Sequence, residues 1–292
     1  MTAAKMDPMS RAEGLREQIA HHRSRYYVDA APEITDAEYD ALERELQAIE
    51  AEHPEVITPD SPSLRVGGTP GEAFVNVSHR TPLLSLDNAI SEDDLRAWDD
   101  RLTRAVGRPA GGYVVEPKID GLSIALWYRD GLLERAVTRG DGIVGEDVTA
   151  NVRTIRSIPW RLSHPAPFVE ARGEIFMPRE SFQSLNEARR SAGEPPFANP
   201  RNAAAGSVRL LDPRITASRR LDGFFYVLAE MEGDDPPNTH TEGLARLEAL
   251  GLPVNPLNAL CRSLDDVLAG IEAIRGLRDQ LEYEIDGALQ EA

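Results

Sequence analysis

The sequence predicts an α+β fold in two parts, a short helical part followed by a larger part of antiparallel sheets with flanking helices. Apolar residues recur at helical spacing through most of residues 10–53, whereas residues 113–139 contain three apolar runs separated by Asp-Gly pairs. Strand-like and helical segments follow without an internal repeat. We therefore expect two domains, residues 1–67 and 68–292, divided near a stretch rich in proline and glycine.

The first part is predicted to be a hairpin of two helices. Ser10–Glu13 and Thr35–Glu38 each have the pattern of a capping box, in which a hydroxyl and a carboxylate three residues later satisfy free backbone N–H groups. Pro32 lies in the connection, and His53-Pro54 ends the second helix. A third box, Ser91–Asp94, predicts the first helix of the second part.

The second part is predicted to contain a β-meander, followed by further strands and helices. Asp-Gly between apolar runs is a strong signal for a two-residue hairpin turn, and Asp120-Gly121 and Asp130-Gly131 separate the three runs. The predicted strands are Tyr113–Glu116, Leu122–Tyr128, Leu132–Thr138, Phe168–Phe176 and Gly223–Ala229, and the predicted helices lie near 179–191, 200–211, 241–250 and 264–280.

The composition limits the possible functions. The chain has 292 residues, a net charge of −17 and one cysteine, Cys261, which excludes a disulfide framework or a cysteine zinc site built within it. The sequence has no signal peptide and no apolar stretch of membrane-spanning length, so we expect a cytoplasmic protein with no membrane partner. Such an acidic chain would bind nucleic acid only through local basic patches.

Lysine is scarce in this chain, because only Lys5 and Lys118 among the 32 basic residues are lysine. Lys118 lies in the segment Glu116–Gly121, at the end of a predicted strand. An amine, unlike a guanidinium, can lose its proton and act as a nucleophile. Arg139, one strand over, would promote that loss, whereas Asp120 is expected to face a ribose hydroxyl or a metal ion instead. The alternative is an exposed lysine on a surface hairpin.

Four segments together resemble the NAD-dependent DNA ligases. The segment Glu116–Gly121 is similar to the active-site motif of covalent nucleotidyltransferases. The others, which narrow the resemblance to this family, are Thr138–Ile155, Arg172–Phe176 and Phe197–Ser207. The resemblance implies a nucleotidyltransferase (adenylation) domain in which Lys118 attacks the adenylyl phosphate of NAD with the help of Mg²⁺. Nicotinamide mononucleotide (NMN) would leave, and AMP would stay on the lysine.

The resemblance also implies roles for residues around the nucleotide. Glu116 would accept a hydrogen bond from the adenine amino group, and Ser85 and Leu86 would offer backbone groups to the same base. Glu174, expected on a neighbouring strand, would hold a ribose hydroxyl or a metal-bound water. The alternative role for Glu174 is to form an ion pair at the edge of a sheet. Arg139 would bind ribose or phosphate.

A second set of candidates lies in the helical hairpin. Asp36, Tyr39 and Asp40 share one helix face because they are spaced i, i+3 and i+4, and Tyr26 ends the first helix. Aromatic rings stack on a nicotinamide cation and carboxylates bind ribose hydroxyls, so the resemblance assigns these four residues to NMN. Tyr27 stands where some members have histidine. The alternative is that Asp36 and Asp40 only complement the dipole at the start of the helix and bind no ligand.

Three arginines match positions that contact DNA or support catalysis around a nick in this family. They are Arg201, Arg209 and Arg278. Surface solvation or pairing with the many acidic residues is the alternative, and the sequence does not favour either interpretation.

The end of the chain departs from the family pattern. Glu284–Gly287 is similar to a family segment that continues to a lysine on the α-phosphate, but Glu291 stands at that position and would repel phosphate. A truncated chain end and a real replacement both stay open. The later domains, including a barrel and a zinc finger, are not in this sequence. We therefore expect an N-terminal fragment that adenylylates itself without sealing nicks unaided, with zinc confined to the missing domains.

The leading hypothesis is a monomeric adenylation fragment of a DNA ligase. It would use NAD, and the full-length enzyme would pass AMP to a 5′-phosphate in nicked double-stranded DNA. An ATP-using ligase or capping enzyme is one alternative, against which the Tyr/Asp set of the helical hairpin argues. The other alternative is a non-catalytic homologue that binds NAD or DNA, and Glu291 is the residue that suggests it.

Overall fold

The structure is a computed structural model that describes residues 7–27, 33–59, 61, 73–84, 89 and 91–291. Ser85 and Leu86 lie outside these residues, as do the side chains of Tyr27, Asp36, Gln290 and Glu291. The described residues form the predicted α+β fold, with a helical hairpin followed by a body of antiparallel sheets flanked by helices. Within the described residues, no helix combines the length and the apolar character that a membrane crossing requires.

The helical hairpin consists of α1 (Pro8–Tyr27) and α2 (Asp36–Glu52), followed by one 3-10 turn at Pro54–Val56. Apolar side chains at helical spacing on the two helices close on each other and exclude water. The buried members of this small core are Ala12, Leu15, Ile19, Leu46 and Val56.

Two of the three predicted capping boxes are confirmed and one is wrong. Thr35 and Ser91 each accept a hydrogen bond from the backbone N–H three residues later, and the reciprocal carboxylate bond is present in both. The box at Ser10 is wrong because α1 already begins at Pro8. There the carboxylate of Asp7 accepts a hydrogen bond from the Ser10 N–H at 3.4 Å. Proline is favoured in the first turn because its missing N–H would have had no partner.

Three antiparallel sheets form the described part of the body. The strands are β1 (Asn76–Ser78), β2 (Tyr113–Ile119), β3 (Leu122–Arg129), β4 (Leu132–Thr138), β5 (Val144–Glu146), β6 (Phe168–Phe176), β7 (Asp222–Met231), β8 (Ala259–Cys261) and β9 (Ile285–Glu291). A four-stranded sheet has the order β4-β3-β6-β7, a three-stranded sheet has the order β8-β2-β9, and β1 pairs with β5.

Helices flank the two larger sheets. They are α3 (Glu92–Val106), α4 (Thr149–Val152), α5 (Arg179–Ser191), α6 (Pro200–Val208), α7 (Pro213–Ala217), α8 (His240–Ala249) and α9 (Leu264–Leu277). All predicted helices of this part are confirmed. The short elements α4, α7, β1, β5 and β8 were not predicted, because three to five residues carry too little periodicity to be recognised. The seven-residue strand β9 was not predicted either.

The predicted β-meander is wrong at its first turn. β2 pairs with β8 and β9, and at Asp120-Gly121 the chain crosses into the other sheet, where β3 pairs with β4 and β6. A Cβ atom at Gly121 would lie 2.2 Å from the backbone oxygen of Ile175, so glycine permits this close crossing. The second turn is a hairpin, because Asp130 and Gly131 have the positive φ angles, 51° and 75°, of a type I′ turn.

The alternation of β2 places Lys118 between the two larger sheets. Tyr113 and Val115 pack in a core with α3 and α9 on one face of the strand. Because successive side chains of a strand point to opposite faces, Glu116 and Lys118 belong to the other face. That face is turned towards the four-stranded sheet, and the candidate site lies there.

Candidate active site

A cavity of about 1050 Å³ lies between the three-stranded and four-stranded sheets. β2 contributes Lys118 to it, β6 contributes Glu174, and β7 contributes Tyr226. Five basic and three acidic side chains line this Lys118 cavity, in a chain whose net charge is −17. A basic cavity in an acidic protein indicates an anionic ligand, and its volume is sufficient for a nucleotide.

The Lys118 amine is held by Asp286, a residue of β9. Its Nζ donates hydrogen bonds to both carboxylate oxygens at 2.6 Å. Both side chains are a little over one third exposed, so the ion pair stands at the open side of the strands. The register explains the contact, because Lys118 lies opposite Gly287, which follows Asp286. An amine in this arrangement must pass a proton on before it can attack a phosphate.

Arg139 and Glu174 face Lys118 from the opposite sheet. The expectation that each lies on a strand next to that of Lys118 is wrong, because the strands that pair with β2 in the described residues are β8 and β9. Arg139 follows β4, and Glu174 lies on β6, so both reach the cavity from the four-stranded sheet. The separation leaves room for a ligand between Lys118 and these two side chains.

Burial raises the pKa of the Glu174 carboxyl to about 7, against the opposing influence of Arg201 and Lys118. The Tyr226 hydroxyl donates a hydrogen bond to Glu174 Oε2 at 3.5 Å. Burial also raises the pKa of Tyr226, so its hydroxyl stays protonated and acts as a donor. Glu174 is therefore a carboxyl group that changes its charge close to neutral pH.

Asp120 contacts Arg201 rather than the amine. Arg201 Nη1 donates to Asp120 Oδ1 at 3.2 Å, and Arg201 lies on α6 at the rim of the cavity. The helix begins at Asn199, whose side chain accepts the Asn202 N–H, so the start of α6 is fixed next to this pair. The orientation of Asp120 away from the amine matches the expectation, and its contact with ribose or a metal ion stays a prediction.

Glu116 is a buried carboxylate with two side-chain partners. Only 3% of the residue is exposed, and Asn258 Nδ2 donates to Glu116 Oε1 at 2.7 Å. The ring of His240 forms a hydrogen bond to Oε2 at 2.9 Å. A carboxylate has about four lone-pair sites, so Glu116 retains capacity for one more donor. Leu289 of β9, opposite Glu116 in the register, lines the cavity.

Two arginines fix the segment that leads to Ser85 and Leu86. Arg172 donates to the backbone oxygens of Thr81 at 2.9 Å and Pro82 at 3.1 Å. Arg139 Nε donates to the Leu83 oxygen at 3.4 Å. Leu83 and Leu84 line the cavity, so the chain reaches its rim there. The predicted contacts of Ser85 and Leu86 with adenine concern residues outside the described part and stay predictions.

The three arginines predicted for DNA occupy different surroundings. Arg209 forms a bidentate ion pair with Glu146, with distances of 2.6 and 2.9 Å, and both line the cavity. Arg201 is paired with Asp120 as described above. The side chain of Arg278 is exposed at the end of α9, where its backbone oxygen accepts a hydrogen bond from Arg179. Pairing with acidic residues thus accounts for two of the three, and contact with DNA stays a prediction.

The candidates of the helical hairpin do not line the Lys118 cavity in the described residues. Tyr26 is 47% exposed, and Tyr39 packs partly buried against the hairpin core. Asp40 Oδ1 lies 3.0 Å from Nη1 of Arg156, a residue of the body, whose Nη2 lies 3.6 Å from Glu43. The side chains of Asp36 and Tyr27 are outside the described residues.

A second contact supports this docking of the helical hairpin on the body. Arg23, which is 7% exposed, donates from Nη1 to the backbone oxygen of Ser157 at 3.3 Å. Arg156 therefore contacts α2 and Ser157 contacts α1, so two neighbouring residues of the body bind both helices of the hairpin. Asp40, one of the carboxylates that Arg156 contacts, is a predicted NMN ligand.

Several residues of the site were not predicted from the sequence. The sequence pattern indicated Asp286 and Tyr226 only weakly as site residues, because each lies within a segment that was recognised for other reasons. A carboxylate before glycine near the end of the chain repeats the pattern of Asp120-Gly121. No sequence pattern indicated Arg156, or the two residues His240 and Asn258 that bind Glu116, because their partners are far away along the chain.

Two family models match this chain. One describes the NAD-dependent DNA ligase adenylation domain and matches residues 71–291. The other describes a DNA ligase-like, N-terminal NAD+-binding domain and matches residues 5–67.

The chain is also similar to curated proteins named DNA ligase. That of Desulforamulus reducens is 53% identical over 278 residues, or 95% of this chain and 41% of the relative. That of Heliobacterium modesticaldum is 53% identical over 284 residues, with 97% and 42% covered. That of Alkalilimnicola ehrlichii is 52% identical over 291 residues, with 99% and 43% covered. The chain spans about two fifths of the length of these relatives. With matched family models covering both the hairpin and the body that carries Lys118, the chain belongs to the NAD-dependent DNA ligase family.

Proposed function

We propose that this chain transfers the adenylyl group of NAD to Lys118 and releases NMN. The observation that carries the proposal is the placement of the Lys118 amine in a basic cavity, across from Arg139 and Glu174, in a chain that contains the adenylation domain of this family. A lysine with no chemical role would not need a cavity of nucleotide size lined by four arginines.

The chemical step exchanges one bond to phosphorus for another. A P–N bond forms between Lys118 Nζ and the adenylyl phosphorus, the P–O bond to NMN breaks, and NMN leaves with the bridging oxygen. The amine must first give up a proton. Asp286 is the acceptor, because both of its oxygens already lie 2.6 Å from Nζ.

The basic side chains around the cavity stabilise the negative charge of the phosphates. Arg139, Arg201 and Arg209 surround the position that faces Lys118. Such preorganised cations lower the barrier because the charge develops where they already stand. The carboxylates of Glu174 and Asp120 are the oxygen donors that would hold Mg²⁺, which prefers such ligands and shares them with substrate phosphates. When bound there, the ion would supply further neutralisation of the phosphates.

The nucleoside half of NAD would occupy the same cavity. Glu116 has capacity for one more donor, as an adenine amino group requires, and it lies opposite Leu289, which lines the cavity. The Tyr226 ring offers an aromatic surface for the base, and Glu174 is close enough to Tyr226 to accept a ribose hydroxyl as well. These roles depend on side chains that converge from both sheets.

The leaving group requires a movement of the helical hairpin. Tyr26, Tyr39 and Asp40 are the described residues proposed to hold NMN, but Asp40 is paired with Arg156 in this structure. A bound NAD would have to draw Asp40 away from Arg156 and bring the hairpin over the cavity. The docked hairpin therefore represents a state before the nicotinamide half is engaged.

The full-length relatives would use the adenylyl-lysine to seal nicks. We propose that AMP passes from Lys118 to a 5′-phosphate of nicked double-stranded DNA, after which a 3′-hydroxyl displaces it. Arg278, exposed on the body, and Arg201 and Arg209, at the cavity rim, would contact that DNA. We propose a monomer for the chain alone.

Intact-mass measurement after incubation with NAD and Mg²⁺ tests the proposal. A gain of one AMP per chain, absent with ATP as the donor, is the expected result. ATP in place of NAD as the effective donor would favour an ATP-using enzyme. If NAD still binds but the mass does not increase, the second candidate, a non-catalytic binding module, would be favoured. Glu291 is the residue that suggests this candidate.

A further inference from the structure

A group of potential metal ligands lies on the helical hairpin, apart from the Lys118 cavity. His21 and His22 lie near the end of α1, and Glu33 lies just before the start of α2. One ligand atom from each of the three side chains lies within 4.8 Å of the other two. Two imidazoles and a carboxylate are a common ligand set for zinc sites in which water takes the fourth position.

The distances are close to those of a tetrahedral site. With metal–ligand bonds of about 2.0–2.2 Å, neighbouring ligand atoms are separated by roughly 3.3–3.5 Å. His21 Nε2 lies 2.8 Å from Glu33 Oε2, and His22 Nδ1 lies 3.9 Å from the same oxygen. The two observed distances bracket the expected one, and the ligand atoms of the remaining pair, His21 and His22, lie within 4.8 Å of each other.

The surroundings of the three residues favour a cation at their centre. His22 Nδ1 is shielded from solvent and has no hydrogen-bond partner within the described part of the chain. Arg25 Nε donates to Glu33 Oε1 at 2.9 Å, which leaves Oε2 for the metal. A ligating carboxylate is usually supported by such an outer hydrogen bond.

We propose that His21, His22 and Glu33 bind a divalent transition metal of the zinc class, with water as the fourth ligand. Imidazole with carboxylate suits Zn²⁺ and its neighbours in the first row, whereas Mg²⁺ prefers oxygen ligands alone. The bound ion would join the end of α1 to the residues before α2.

The position of the site gives it a consequence for the hairpin. Tyr26 lies one helical turn after His22, and Thr35 caps α2 two residues after Glu33. An ion bridging the two sides would fix the spacing between Tyr26 and the start of α2, where the proposed NMN ligands lie. Only this consequence rests on the proposed function, since the metal site itself does not depend on it.

Calorimetric titration of the whole chain with ZnCl₂, after removal of metal with a chelator, tests the site. We expect one ion per chain, and visible absorption bands of a tetrahedral complex when CoCl₂ replaces zinc. His22→Ala and Glu33→Gln should each weaken binding by at least about 100-fold, since loss of a mere supporting contact already costs 10- to 100-fold. His53→Ala is the matched control, because His53 faces Glu55 on the same hairpin but outside the cluster.

The alternative outcomes are distinct. Absence of stoichiometric zinc binding, or binding that His22→Ala and Glu33→Gln leave intact, would overturn the site. Circular dichroism of each variant shows whether the helices are retained, and His21→Ala gives a second test if one variant fails to fold. Because no NAD is present, a negative result here is separate from any failure of the adenylylation experiment.

Discussion

The two candidate regions of this molecule differ in how far they are assembled. Around the Lys118 cavity, Lys118, its partner Asp286 and the facing side chains are held by paired strands of two sheets. On the helical hairpin, Asp40 contacts Arg156 of the body, and Tyr26 is 47% exposed. Under the proposed function, the groups for the adenylyl half of NAD are already arranged around Lys118, whereas those for the nicotinamide half have yet to be brought to it.

The energetics of the two regions fit this difference. Glu116 is a buried carboxylate and Glu174 is a partly buried carboxyl group with a raised pKa. Removing such groups from water is costly and is tolerated where a ligand or catalysis requires it. The Arg156–Asp40 pair is nearly half exposed on both sides, and such pairs contribute only about 0–1 kcal/mol. Breaking this one pair therefore costs little, whereas the buried contact of Arg23 with the Ser157 oxygen and the carboxyl groups of the cavity would cost more to disturb.

The largest effect is expected from the nucleophile itself. Lys118→Arg keeps the positive charge but removes an amine that can be deprotonated, so intact mass after incubation with NAD and Mg²⁺ should show no AMP. Lys5→Arg, at the only other lysine of the chain, should adenylylate normally. A gain of one AMP in Lys118→Arg would place the attachment elsewhere and break the assignment of the cavity.

The second effect tests whether the cavity is already complete. Asp286→Asn keeps the size and one oxygen of the partner of Lys118 but removes its ability to accept the proton. The rate of adenylylation should fall by about 100- to 1000-fold, with little change in the KM for NAD. Asp279→Asn, an exposed acidic residue outside the cavity, is the control. A pure rise in KM would show that Asp286 binds NAD instead of serving the proton transfer.

The third effect is a dependence on pH. Because burial raises the pKa of Glu174 to about 7, its carboxylate is present above that pH and is lost as the pH falls through it. If the carboxylate is the required form, kcat/KM for NAD should fall about tenfold per pH unit below pH 7. Glu174→Gln should be slow and should lack this limb of the profile. An unchanged profile in Glu174→Gln would assign the ionisation to another group.

The same ionisation has a predictable effect on stability. Between the ordinary pKa of a glutamate, 4.5, and about 7, the folded protein binds more protons at Glu174 than the unfolded chain does. Its contribution to the free energy of unfolding therefore decreases as the pH rises through this window. Chemical denaturation of wild type and Glu174→Gln at several pH values measures it, since only wild type should show this component.

Local patterns predicted the elements of the molecule better than their partners. The capping signals at Thr35 and Ser91 and the turn at Asp130-Gly131 depend on neighbouring residues alone, and all three are confirmed. The turn at Asp120-Gly121 has the same local signal but fails, because the pairing of β2 with β9 joins segments far apart in sequence. Sheet partners are decided by such long-range packing, which a single sequence does not display.

The candidate site shows the same division. Lys118 was recognised from the chemistry of its own segment, and the cavity around it contains Arg139 and Glu174. The partner Asp286 and the contact between Arg156 and Asp40 were missed, because each joins residues more than a hundred positions apart. Residue type predicts which groups can react, whereas geometry decides what each group contacts before the reaction.

The smallest effect is expected from loss of the ion pair between Arg156 and Asp40, which joins the helical hairpin to the body. Arg156→Ala removes the pair with Asp40, so NAD would no longer compete with Arg156 for that carboxylate. Because the pair is worth at most about 1 kcal/mol, the KM for NAD should decrease by no more than about fivefold, with kcat unchanged. Arg129→Ala, which removes an exposed pair with Glu134, is the control. An increase in KM would show instead that the docked hairpin is the form that binds NAD, and that the nicotinamide half is assembled by Arg156 rather than released from it.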